Sequence, residues 1–144
     1  MKIGKMIFGP GAMAIVAAVA VTAGGAGSAL AADALPAGNP TAGQRVFGQC
    51  MGCHATGKGA ETGIGPVLNG VVGRKAGTAP GFRYSTAMKN AGLTWDAPTL
   101  ARFLHAPAQT VPGTHMSFGG LAKPQDQADV IAYLKQYAAD GTRK

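Results

Sequence analysis

Cys50-Met51-Gly52-Cys53-His54 is the stretch that decides how this 144-residue chain is read. Two cysteines three apart, with a histidine directly after the second, form the attachment pattern of a c-type haem. Thioether bonds from Cys50 and Cys53 would hold the porphyrin, and His54 would supply one ligand to the iron. The chain has no other cysteine, so no thiol remains for the second half of a zinc site or for a structural disulfide. A CxxC pair also fits a thiol oxidoreductase, but that chemistry goes with a thioredoxin-like βαβ context, and none is visible here.

The N-terminal residues indicate a compartment. Lys2 and Lys5 form a short positive region, residues 12–21 are apolar and uncharged, and Ala29-Leu30-Ala31 offers small residues for cleavage before Ala32. This is the pattern of a secretory signal over residues 1–31. A retained anchor is the alternative, although the strongly apolar part is short for a span of about 20 residues. Removing residues 1–31 leaves 113 residues, a single domain over 32–144, and the loss of Lys2 and Lys5 lowers the formal charge from +7 to +5. The carboxylates of an attached porphyrin lower it further. No Lys/Arg run accompanies the charge, so a nucleic-acid partner is not indicated. One tryptophan, three tyrosines and five phenylalanines against 23 glycines make a thin core, which a buried porphyrin would complete.

Periodicity gives an all-α outline with much irregular backbone. Thr41 suits the cap of a first helix that carries Gly43, Val46 and Phe47 on one side and runs towards Cys50. Residues 55–83 have neither helical nor strand period and are punctuated by glycine. A loop of that length is unusual in a small domain and makes sense if it wraps a rigid prosthetic group. Residues 85–90 suit a short helix closed by Gly92. Asp96 suits the cap of the next, with Leu100, Phe103 and Leu104 at i, i+3 and i+4. Pro107 and Pro112 then break the chain. Pro124 opens a last helix with Val130, Ile131, Tyr133, Leu134 and Tyr137 on its apolar face.

A haem iron ligated by His54 keeps a sixth position. Met1, Met6 and Met13 leave with the signal, Met51 lies inside the motif and Met88 lies in a short helix. The remaining candidates are Met116, His105 and His115. Met116 sits in Val111-Pro112-Gly113-Thr114-His115-Met116-Ser117-Phe118, a loop shaped by proline and glycine. On the residues alone it is either the sixth ligand or core filler.

The chain resembles the class I cytochromes c, in particular the mitochondrial and bacterial cytochrome c2-like branch. The resemblance runs from Gly43 to Tyr137. Its blocks are Gly43 and Phe47, the Cys50-His54 motif, Gly65-Pro66-Val67-Leu68-Asn69-Gly70, Gly73-Arg74-Lys75-Ala76-Gly77, Gly81-Phe82-Arg83-Tyr84-Ser85, Asn90-Ala91-Gly92-Leu93-Thr94-Trp95, Pro112-Gly113-Thr114-His115-Met116 and Ile131-Ala132-Tyr133-Leu134. It implies a small all-α fold of short helices and long loops around one covalent haem c, bound through Cys50, Cys53, His54 and Met116. His54 and Met116 would be the iron ligands. It further implies that the Pro66 carbonyl accepts the free ring N–H of His54. Arg74, Tyr84 and Trp95 would meet a buried propionate, with Thr114 at the other, and Gly43 would let the first and last helices cross closely.

The implied function is a periplasmic one-electron carrier, with no catalytic residue, moving electrons between redox complexes. The donor would be a quinol–cytochrome c reductase or a periplasmic dehydrogenase; the acceptor would be a terminal oxidase, a reaction centre or a reductase. A monomer without stable membrane insertion is expected. The alternatives are a dedicated subunit of a dehydrogenase or oxidase complex and, with a vacated sixth position, a haem peroxidase or gas sensor.

The chain departs from the family at several positions. Phe103 replaces a frequent tyrosine and Met88 a frequent asparagine near the iron, which removes polar groups from the pocket. His115 stands where a lysine is common before the methionine, either as a surface side chain or as a substitute ligand at raised pH. Gln49, Ala108, Gln109, His115 and Ala122 occupy places where relatives carry a ring of lysines. Arg45 and Lys123 are left as local cations, so electrostatic steering to an acidic partner should be weak.

Overall fold

The computed structural model describes residues 34–144; the expected signal over residues 1–31 lies outside the described residues. Five helices follow one another: α1 (Pro40–Phe47), α2 (Thr86–Lys89), α3 (Ala97–His105), α4 (Pro107–Thr110) and α5 (Pro124–Lys135). Among the described residues there is no strand, only two isolated bridges, Lys75 with Thr94 and Tyr137 with Arg143. The all-α expectation holds. No described helix is long and apolar enough to cross a membrane.

The first three helices start where a side chain satisfies orphan N–H groups; α4 and α5 open on Pro107 and Pro124 with no side-chain cap. At α1 the cap is Asn39, one position outside Pro40, and not Thr41 as the sequence suggests. The Asn39 Oδ1 accepts from the N–H groups of Thr41 and Ala42 at 2.9 and 3.0 Å. Pro40 decides between the two candidates, because it has no N–H to satisfy and its fixed φ suits the first helical position. Asp96 caps α3 as expected, accepting from Thr99; Ser85, expected as the first residue of the short helix, lies just outside α2 and caps it by accepting from Met88. The bonds with Thr99 hold the Asp96 carboxyl below the ordinary carboxylate range. Pro107 does end α3, but it also opens α4, a four-residue helix that the sequence does not announce.

The main helix contact is the crossing of α1 and α5, with α3 packed on α5 and α4 on α3. Gly43 makes the crossing possible, since a Cβ there would overlap the carbonyl oxygen of Asp129. Phe47 and Tyr133 fill the adjoining space with ring centroids 5.1 Å apart. The buried Asp129 carboxylate ties the entry of α1 to α5 by accepting from the Asn39 N–H at 2.7 Å and from the Gln125 amide at 2.8 Å. The core also takes in Leu100, Phe103 and Leu104 of α3 and Val130, Ile131 and Leu134 of α5. Tyr137 lies just past the helix end and packs on the core edge.

Residues 55–83 form no helix, as the glycine pattern implies. Their far end is stitched to the start of α3 by backbone bonds between Gly73 and Trp95, Trp95 and Arg74, and Ala76 and Leu93, each 2.9 Å. The chain closes with a small C-terminal hairpin over residues 136–144. Ala138 donates to the Thr142 carbonyl and Lys144 to that of Gln136, and Asp140 accepts from the Thr142 N–H and hydroxyl.

Candidate haem site

After α1 the chain makes one more tight turn. Cys50 donates to the Phe47 carbonyl at 2.8 Å, and the Cys50 carbonyl in turn accepts from the N–H groups of Cys53 at 3.0 Å and His54 at 2.9 Å. These i, i+3 and i, i+4 bonds bring Cys50, Cys53 and His54 to one cavity of about 260 Å³, which Met116 reaches from the opposite half of the sequence. All four side chains expected to hold the cofactor therefore line one space. Burial, with Cys53 adding to it, pushes the Cys50 thiol above its usual pKa. Cys53 is exposed.

The orientation of His54 is set from two sides. Its Nδ1 lies 2.7 Å from the Pro66 carbonyl oxygen. A carbonyl only accepts, so Nδ1 carries the proton and the lone pair on Nε2 is left for a metal. Behind the ring sits Gly65, where a Cβ would stand 2.5 Å from His54 Cε1. Gly65 is itself fixed by donating to the Cys53 carbonyl at 2.8 Å. Met116 is half-buried on a loop steered by Thr114: the Thr114 hydroxyl accepts the Met116 N–H at 3.2 Å, and the Thr114 N–H bonds Val111 at 3.0 Å. The resemblance implied Thr114 at a propionate. Here its oxygen turns the Met116 loop, and its own proton remains to donate.

Much of the cavity wall is apolar, with Val71, Leu100, Leu104, Val130 and Leu134 among its residues. Phe103 and Met88, both buried, add carbon and sulfur where a hydroxyl and an amide were absent from the sequence, and Phe103 packs on Trp95 at 4.9 Å. The lining contains no carboxylate and one permanent cation, Arg74. Two of the three guanidinium nitrogens are used: Nη1 donates to the Asn69 carbonyl at 2.8 Å and Nη2 to that of Val67 at 3.3 Å. The buried Nε has no partner. Burial lowers the Arg74 pKa, and the neighbouring Tyr84 oxygen opposes the shift. Tyr84 uses that oxygen to accept the Ala79 N–H at 3.2 Å.

A buried guanidinium with an unsatisfied N–H is costly unless an anion meets it. Together with two thiols, an imidazole Nε2 and a thioether on an apolar wall, it fits a porphyrin carrying an iron and acidic side arms.

The structure adds residues that the sequence did not single out. Ile64 and Phe118 line the cavity, and Ile64 and Met51 are the large apolar side chains left most open, 79% and 67% exposed. Asn69 is buried, with both amide atoms bonded to the backbone of one residue, Gly57. Its position inside the Gly65–Gly70 block was visible, but its partner is chosen by the tertiary fold. His115, Gln49, Ala108, Gln109 and Ala122 are all exposed, as are Arg45 and Lys123.

Comparison with known proteins agrees with this geometry. The family model described as Cytochrome c matches residues 40–138. Cytochrome c2 of Rhodomicrobium vannielii is 54% identical over 117 residues, covering 81% of this chain and 94% of its own. Cytochrome c2 of Rhodoblastus acidophilus is 53% identical over 107 residues, 74% of this chain and all of its own. The solved structure of cytochrome cH from Methylobacterium extorquens superposes with a TM-score of 0.64 at 46% identity, covering 68% of this chain and 98% of that one. From α1 through α5 the chain thus belongs to the cytochrome c family, electron carriers built on one covalently attached haem c.

Proposed function

We propose that this haem-c electron carrier is exported, loses residues 1–31, and shuttles single electrons between redox complexes in the periplasm. Cys50 and Cys53 would form the thioether bonds, and His54 and Met116 would hold the iron. The observation that carries this reading is the convergence of these four side chains on one cavity whose only permanent charge is Arg74. Bound there, haem c supplies a one-electron ferric–ferrous couple.

The chain's own task is to hold everything else still. The Pro66 carbonyl and the Gly65 backbone fix the His54 ring, Thr114 fixes the approach of Met116, and the apolar wall keeps water out. A neutral thioether ligand together with an imidazole would favour the ferrous form relative to two histidines. With His54 and Met116 both given to the metal, no place would remain there for a substrate, which is why we read the chain as a carrier and not as a peroxidase or gas sensor. Arg74, with Tyr84 and Trp95 beside it on the lining, would meet a buried propionate. Partners would be a quinol-oxidising complex or dehydrogenase on one side and an oxidase, reaction centre or reductase on the other, each met briefly by a monomer.

Optical spectra of the ferric and ferrous protein test the site. The wild type should show the far-red sulfur-to-iron band and leave carbon monoxide unbound at neutral pH. Met116→Ala should lose the band and bind carbon monoxide with haem still attached. Carbon monoxide binding by the wild type would overturn the assignment of Met116.

A further inference from the structure

We infer that Asn69 and the C-terminal hairpin form a positioning device for Arg74, and through it set the reduction potential of the pocket. The inference rests on the reading of Arg74 as the cation that meets the haem's acidic side arm.

The device is a chain of contacts with no slack. The buried Asn69 closes a two-point pairing on a single residue: its Oδ1 accepts the Gly57 N–H at 2.8 Å and its Nδ2 donates to the Gly57 carbonyl at 2.9 Å. Both hydrogen bonds fix Asn69 as a whole, including its own carbonyl, and that carbonyl receives Arg74 Nη1 at 2.8 Å. With Nη2 held by Val67 at 3.3 Å, both terminal nitrogens are tied to the 67–69 backbone, while the buried Nε has no partner within the protein.

The hairpin supports the far side of the same residue. Gly141 is buried against Gly57, so closely that a Cβ there would overlap the Gly57 carbonyl oxygen. Gly70, next to Asn69, donates to the Tyr137 carbonyl at 3.2 Å, and a Cβ on Gly70 would lie 2.9 Å from Ala139 Cα. Residues 139–144 lie beyond the family match, which ends at residue 138.

A cation held near the iron disfavours the extra positive charge of the ferric form, so a firmly placed Arg74 raises the potential. Loosening Asn69 lets the guanidinium turn towards water, and the potential falls. Asn69 touches no part of the cofactor in this scheme; it acts through Arg74.

The test is a double-mutant cycle on the haem-loaded protein, read as midpoint potential at fixed pH, with the far-red band as the check that Met116 stays bound. Arg74→Gln should lower the potential. Asn69→Ala, and separately deletion of residues 139–144, should lower it in the same direction by a smaller amount. In the Arg74→Gln background neither change should move it further. If Asn69→Ala does not accumulate as holoprotein, the deletion decides the matter alone. A shift of equal size in both backgrounds, or no shift where Arg74→Gln gives one, would overturn the device. An unmoved potential in Arg74→Gln would instead sink the reading of Arg74, and the device with it.

Discussion

His54 is held by two backbone groups and by no side chain. The Pro66 carbonyl takes its ring proton, and the Gly65 backbone leaves no room behind it. Gly65→Ala should therefore act on the ring directly. The added methyl would sit 2.5 Å from Cε1 and 2.7 Å from Nδ1, so either the imidazole tilts or the 63–66 segment withdraws. Either movement lengthens the bond to Pro66, and overpacking of this kind costs about 1–3 kcal/mol. Denaturant unfolding of the holoprotein should show that loss, and unchanged stability would mean the segment does not rest on the ring. At this scale the sequence was most legible where chemistry is written in adjacent residues, as in Cys50-Met51-Gly52-Cys53-His54. Met116 was ambiguous on its residues alone, because a methionine in a loop is equally good core filler, and only the ordered blocks around it pointed to the iron. Asn69 was not legible, since nothing in its neighbourhood says that its amide will meet the Gly57 backbone.

Helix starts were readable in proportion to how local their cause is. Ser85 and Asp96 each bond an N–H three residues on; Asp96 was read as a cap, and Ser85 marked the start of its helix to within one residue. At α1 two cap residues flank a proline, and the stereochemistry of Pro40 selects Asn39, whose own N–H is tied to Asp129 ninety residues away. The α4 turn and the C-terminal hairpin escaped notice because neither has a repeating apolar period long enough to register. The crossing of α1 and α5 is the element-level contact on which the fold depends most. Gly43→Ala tests it, because the new Cβ would overlap main-chain atoms of Asp129 and approach Tyr133 Cβ at 2.8 Å. Backbone and Cβ atoms have no rotamer through which to yield, so the helices must separate and the Phe47–Tyr133 contact must open. The cost should exceed the ~3 kcal/mol upper end of ordinary overpacking. Chemical denaturation would measure it, and a loss below ~1 kcal/mol would show that the crossing yields more easily than its geometry implies.

Across the whole molecule, the long loop over residues 55–83 makes sense only with the cavity it lines: Ile64, Gly65, Pro66, Leu68, Val71, Arg74 and Phe82 all face it. A chain this rich in glycine builds its core around the cofactor, and the apolar period that would have announced such a loop in the sequence is absent because its partner is not protein. The same arrangement governs how the molecule meets others. The formal charge of the full chain is +7, yet the cavity lining carries Gln49, Ile64, His115, Ser117 and Phe118 and no cation but the inner Arg74. Ala108, Gln109 and Ala122 are exposed and neutral, and Arg45 and Lys123 are exposed cations. Steering by a concentrated field speeds association by about 10–10³-fold and collapses as salt shortens the Debye length to about 8 Å. An encounter at the cavity rim, where Ile64 is 79% exposed and the lining's one permanent cation is the inner Arg74, would have little such field to lose and would rest on apolar contact. The second-order rate of electron transfer to a purified haem–copper oxidase should thus fall by less than about threefold between low and physiological ionic strength, well below the loss of a steered encounter. Ile64→Lys should steepen that dependence towards an acidic acceptor, while Ile64→Ala should weaken binding at every salt concentration. A tenfold or steeper fall for the wild type would mean that its distributed cations steer after all, and that the apolar rim is not what the partner reads.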